Sequence, residues 1–223
     1  MAGFRTHTTV GAFVGAAILT IALLSAVVSD PVAYAGLFFA AIVGSFLPDI
    51  DSDSGLPFQI IFGVLGFVGA SLGVAYVYKN IGTDFGLLML SAGVVFFLVR
   101  FVCGALFKKF SRHRGIFHSL PMAFVAGLLV LLGAKFYCVD SDLAIIFCVA
   151  VIMGYVSHLI LDEIYAGINV NGKGFLPNKA LGSALKLWSG HARATLIMYF
   201  ILVFLLFVTR EELYYVWRVF HVS

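Results

Sequence analysis

Seven apolar runs divide this 223-residue chain, at 10–29, 32–47, 58–78, 85–107, 116–136, 143–164 and 192–209. Crossing the hydrocarbon core takes about 20 apolar residues in a helix. Backbone amides in lipid have no water to bond, and none of these runs alternates as a strand does, so each is expected to be helical. Charged residues are only 11% of the chain, against about a quarter in soluble domains, so the apolar side chains must face lipid. The expected fold is an all-α, polytopic transmembrane bundle of about seven helices, with residues 1–223 forming a single domain. The run at 32–47 is short for a full crossing, which sets Pro48 and Asp49 slightly below the headgroups.

A net charge of +3 with scattered basic residues argues against a nucleic-acid partner. Cys103, Cys138 and Cys148 show no paired spacing and suggest no disulfide framework. Arg5 ahead of an apolar run, with Ala33-Tyr34-Ala35 beyond it, also fits a signal peptide. A long run feeding straight into another favours a retained helical hairpin instead. Glycines inside the helices, such as Gly63, Gly66, Gly69 and Gly73, suit close helix contact in lipid.

Alternation of seven crossings puts the N-terminus and the loops 48–57, 108–115 and 165–191 on one side. That side carries Arg5, Lys108, Lys109, Arg112, Arg114, Lys173, Lys179, Lys186 and Arg193; the other carries Lys79, Lys135, Arg210 and Arg218. The first side is therefore expected to be cytoplasmic, with the aromatic tail 210–223 along the opposite interface.

The unusual polar residues all fall on that first side. His7 precedes the first run, Asp49, Asp51 and Asp53 follow the second, and His113, Arg114 and His118 lead into the fifth. His158 and Asp162 close the sixth, and His191 precedes the seventh. His158 and Asp162, four residues apart, share one helical face. Such a pair can be no more than a satisfied hydrogen bond, yet ionisable residues within a membrane mark function by default. The three aspartates can be a solvated loop. They do not form an EF-hand, whose Gly and Glu positions here hold Ser54 and Ile60. Three carboxylates at a helix end repel one another unless a cation or base offsets them.

Ser119 and Pro121 suit a helix start, and Arg114 beside that start suits an anion, although Arg112, His113 and Arg114 equally fit plain cytoplasmic charge. Arg100, inside the fourth run, must snorkel, pair with an acid or face the site. Imidazole with carboxylate suits a divalent metal of the zinc, manganese or iron type rather than calcium or magnesium. Six candidate ligands, His7, Asp49, Asp51, His118, His158 and Asp162, exceed what one catalytic zinc takes. Either two ions share the site or some of the six act from behind.

At these residues the chain resembles the YdjM family of membrane-bound, predicted metal-dependent hydrolases, some of them LexA-regulated. The resemblance is carried by Arg5-Thr6-His7 with Gly11, by Leu47 to Asp53, by His113 to Ser119 and by His158 to Asp162, with Glu163, Gly167 and Pro177 fitting more loosely. Tyr165 departs from the Thr that many members carry. A more distant similarity links the His and Asp pattern to zinc-dependent phospholipase C and the P1 nucleases. The resemblance implies a bacterial inner membrane protein acting as a hydrolase on a phosphoester, a lipid among the candidates. In that reading zinc activates water, Asp51 or Asp53 is the general base, and Arg114 or the start of the fifth helix holds the anionic group. Two other readings stay open: a metal transporter or sensor, and a non-catalytic scaffold built on a structural metal. Membrane lipids surround the protein in all three, and its oligomeric state is undetermined by sequence.

Overall fold

The computed structural model describes residues 3–28, 30–51, 55–110, 116–167, 182, 184–188 and 191–222. Each of the seven apolar runs is mainly helical among the described residues. The helices are α1 (Phe4–Leu24), α2 (Pro31–Phe46), α3 (Leu56–Asn80), α4 (Phe85–Phe97), α5 (Gly104–Phe110), α6 (Leu120–Phe136), α7 (Ser141–Gly167), α8 (Ala192–Val208) and α9 (Arg210–Val222). A 3₁₀ turn, Leu47–Asp51, extends α2, and a π-helical stretch, Leu98–Cys103, joins α4 to α5. Local chemistry sets several starts. Asp30 caps α2 by accepting from the Val32 amide at 3.0 Å, with Pro31 at its first position, and Asp84 caps α4 through the Leu87 amide at 2.8 Å.

Among the described residues, five helical spans have the length and apolarity to cross a membrane: Phe4–Leu24, Pro31–Asp51, Leu56–Asn80, Phe85–Lys109 and Ser141–Gly167. A sixth arises if α8 and the start of α9, bent by 63° at Thr209, count as one. The fifth run, 116–136, is shorter as a helix than the sequence suggested. The helix α6 has 17 residues because the chain is not helical before Leu120, which gives it about 26 Å. Large side chains such as Phe13, Leu24, Val32, Phe67, Phe124 and Phe200 are exposed, as a lipid-facing surface requires.

The chain divides into two compact units, Met1–Pro48 with Arg114–Ser223, and Asp49–His113. The second is a hairpin of α3 against α4 and the π-helical stretch. In the first, α2 packs on α7 and α1, while α6 packs on α7 and α8. One of its core clusters is built largely from small residues, with Ala22, Ala33, Ala41 and Ala150 around Leu37. The α2–α7 crossing is close enough that a Cβ on Gly154 would overlap the Ala41 carbonyl oxygen. Likewise a Cβ on Gly11 of α1 would overlap the Ser45 side chain. Small residues allow such backbone approach where lipid offers no hydrophobic drive between helices. Beyond the bend, α9 is tied to the end of α6 by Lys135, whose Nζ lies 2.9 Å from Glu212 and 3.5 Å from Glu211.

Gly154→Val should force α2 and α7 apart, at a cost of roughly 1–3 kcal/mol typical of overpacking. Thermal unfolding in detergent reads it. A variant as stable as the parent would show that this crossing does not set the packing.

Candidate metal centre

Four of the expected side chains meet where the ends of α1, α6 and α7 converge. His7 sits in the first turns of α1, His158 and Asp162 near the end of α7, and His118 in the non-helical stretch just before α6. All four are buried, at 1%, 0%, 5% and 1% exposure respectively. The three imidazoles surround one carboxylate. His7 Nε2 lies 3.4 Å from Asp162 Oδ1, while His118 Nε2 and His158 Nε2 lie 3.7 and 3.8 Å from Oδ2. The His7 and His158 rings stack with centroids 3.6 Å apart and 15° between planes; His118 stands edge-on to His158 at 5.5 Å.

Protonation decides what this cluster can hold. His158 Nδ1 is 2.7 Å from the Ser45 carbonyl oxygen, which can only accept, so Nδ1 carries the proton. In the neutral ring Nε2 is then a lone pair aimed toward the Asp162 oxygens. Making both stacked rings imidazolium would set like charges 3.6 Å apart, a repulsion of about 4–5 kcal/mol at an effective dielectric of 20. A shared cation resolves the conflict. The donor separations of 3.4–3.8 Å exceed hydrogen-bond lengths but match the ~3.4 Å between two ligands each ~2.1 Å from one tetrahedral ion. Moreover, His7 Nδ1 and Asp162 Oδ1 are buried without a hydrogen-bond partner among the described residues. Ligand atoms of His7, His158 and Asp162 lie within 4.8 Å of one another, a three-donor set able to hold a metal ion. The Ser45–His158 contact is the outer support that metal-binding imidazoles usually carry, fixing tautomer and ring orientation.

Supports around the site were not evident in the sequence. The Ser45 role is played by a carbonyl, so its side chain carries no signal. Tyr155, on α7 ahead of His158, donates its hydroxyl to the Phe117 carbonyl beside His118. Glu163, adjacent to Asp162, accepts from the amides of Gly182, Ala184 and Leu185 at 2.7, 2.6 and 3.3 Å. The segment after Glu163's partners is also tied to the start of α6, where the Leu120 amide donates to the Lys186 carbonyl at 3.1 Å. Ser119 occupies the N-cap position of α6 as expected, yet its hydroxyl donates to the Ile116 carbonyl rather than capping the helix. Asp49 and Asp51 belong to the other compact unit, on the 3₁₀ turn that leaves α2. Asp53, His113 and Arg114 lie outside the described residues. His191 is exposed at the N-cap of α8.

The profile of a family described as YdjM inner membrane protein matches residues 1–221. No curated protein and no solved structure matches the chain.

Because Glu163 gathers three amides, Glu163→Ala should release the 184–188 segment. Hydrogen exchange there should rise by at least about tenfold, the equivalent of losing ~1.4 kcal/mol of charge-assisted bonding. Unchanged protection would show that the α6 contact alone holds the segment.

Proposed function

The chain belongs to the YdjM family of inner membrane proteins, and from that premise we propose that it is a metal-dependent hydrolase acting on a phosphoester at the membrane surface. One observation carries the reading: a buried set of three donors, His7, His158 and Asp162, in which the His158 lone pair is directed at the carboxylate by the Ser45 carbonyl. Catalytic zinc sites take three protein ligands and leave a position for water or substrate, whereas structural ones are closed by four. A divalent ion held there supplies Lewis acidity and lowers the pKa of water. Zinc fits the donor set best, with manganese and iron next.

The remaining assignments rest on the sequence. Asp49 and Asp51 are proposed as further ligands, Asp51 or Asp53 as general base, and Arg114 as the holder of the anionic group. His118 faces the second oxygen of Asp162, so it either completes the ligand set or holds that carboxylate in place. The excess of Lys and Arg on the side of Arg5, Lys108 and Lys109 supports a site facing the cytoplasm. A lipid phosphoester suits an enzyme embedded in the bilayer.

A structural-metal reading has one observation of its own: with His118 counted, four buried donors gather, enough to close a site. Purified protein separates the two readings. Elemental mass spectrometry should find a divalent metal in the parent and lose it in His158→Ala and Asp162→Asn. Phosphodiester and phospholipid substrates should be cleaved by the metal-loaded parent alone. Metal retained in both variants would remove the site. Metal lost together with stability, and no cleavage of any phosphoester, would favour the structural role.

Acidity offers a separate check. The imidazoles must be neutral to bind an ion, so protons compete with it and metal occupancy should be lower at pH 5 than at pH 8. Dialysis at pH 5 and pH 8 followed by metal analysis reads it; equal occupancy at both would point away from histidine ligands.

A further inference from the structure

The 63° bend at Thr209 turns α9 toward the membrane end where α1 finishes and α7 begins. A cavity of about 370 Å³ lies between these three helices, within the ~300–1,000 Å³ usual for small-molecule sites. Its walls are apolar: Ile18 and Ile21 from α1, Ile146 and Val149 from α7, and Val216 from α9. Ile21 and Val149 are exposed, so the cavity opens on the lipid-facing surface. From Asp142 to Val149 it follows α7 for seven residues, about 10 Å into the apolar zone. An acyl chain suits such a crevice, because a polar ligand would lose its water there without gaining a partner.

The rim of the cavity is polar and carries both signs of charge. Asp142, in the first turn of α7, lines it, and Tyr215 donates its hydroxyl to the Asp142 carboxylate. Asp140 stands beside them, its Oδ2 accepting the Asp142 amide at 3.1 Å. Arg218, three residues along α9 from Tyr215, lies over the Tyr214 ring at 5.1 Å and within electrostatic reach of Tyr215. Lys135, another base at this end of the unit, is held by Glu211 and Glu212. The dipole of α7 accounts for part of the acid at its start. A carboxylate, however, offers about four acceptor sites, and a primary ammonium brings three donors and no acceptor. The guanidinium fork nearby matches phosphate oxygens. An ammonium and a phosphate joined above an acyl chain make an aminophospholipid.

We propose that the cavity between α1, α7 and α9 holds an acyl chain of an aminophospholipid, with its primary ammonium on Asp142 and Asp140 and its phosphate on the side of Arg218. All of these residues belong to one compact unit. Within that unit the cavity lies at the end of α1 and the start of α7, away from His7 and Asp162, so the site does not depend on the hydrolase reading.

The full chain purified in detergent should be equilibrated with mixed micelles of phosphatidylethanolamine, phosphatidylglycerol or phosphatidylcholine, and the lipid retained through gel filtration measured by mass spectrometry. Phosphatidylethanolamine should be retained over the other two: the glycerol headgroup has no cation, and the quaternary ammonium of choline has no N–H to donate. Asp142→Asn, at an exposed position and still able to accept from Tyr215, should lower phosphatidylethanolamine retention about threefold, the scale of a partly exposed ion pair. It should leave phosphatidylcholine unchanged. Val149→Phe fills the cavity without touching the acids and should lower retention of all three lipids. Met153→Phe, one turn further along α7 at an exposed position outside the cavity, should not. Equal retention of the three lipids by the parent would make the cavity an unselective acyl groove and overturn the headgroup assignment. Undiminished retention in Asp142→Asn, or the same retention in both Phe variants, overturns the site. A chain that runs as a dimer and retains no lipid would give the crevice to a second copy and overturn it as well.

Discussion

A carboxylate buried at the end of a membrane helix is the constraint on which this bundle's chemistry depends. Asp162 has lost most of its water, and an isolated charge there would be neutralised or unfold its surroundings. Three imidazoles answer it, from α1, from the stretch before α6 and from α7 itself. A neutral imidazole can only donate an N–H to a carboxylate; cancelling its charge takes an imidazolium or a shared cation. The first option is limited by the 3.6 Å stack of His7 on His158. The second uses the lone pair that the Ser45 carbonyl leaves on His158 Nε2. Electrostatics and donor geometry thus favour the same occupant.

That meeting depends on backbones approaching unusually closely. His158 is oriented by the Ser45 carbonyl of α2, which requires α2 to lie almost against α7. Gly154, one turn before His158, is where the α2 backbone passes, at Ala41. The glycine and the histidine share a helical face, so the residue that permits the crossing and the residue that exploits it are four positions apart. Packing and chemistry are coupled in one turn of helix. Gly11 does the same on α1, one turn beyond His7, by admitting the Ser45 side chain.

Much of this was legible in the chain because it follows from spacing. Apolar runs of bilayer length fix helices, and His158 with Asp162 at i and i+4 fixes a shared face. The alternation of crossings then brings His7, His118 and the α7 pair to one end, and all four do meet there. What escaped is what side-chain identity does not encode. Ser45 acts through its carbonyl, and Glu163 looks like an ordinary helix-end acid until its three amide partners are seen. The stretch before Leu120 is apolar enough to read as helix, yet His118 lies outside α6, held by Tyr155 and by Ser119 bonding backward. Hydropathy records how greasy a segment is, not whether its backbone bonds are redirected. The π-helical stretch around Arg100 is invisible for the same reason.

The placement of His118 outside a helix bears on which kind of metal centre this cluster could form. A closed structural site gains from ligands fixed on regular elements, since each then loses little freedom on binding. Three donors here are fixed in that way: His7 on α1, and His158 and Asp162 on α7. His118 instead sits in a stretch held by hydrogen bonds from Tyr155 and Ser119 to neighbouring carbonyls, and it faces the carboxylate oxygen opposite the one that meets His7. If an ion is bound, the role of His118, as a fourth ligand or as the support of the second Asp162 oxygen, is what decides between a closed and an open centre.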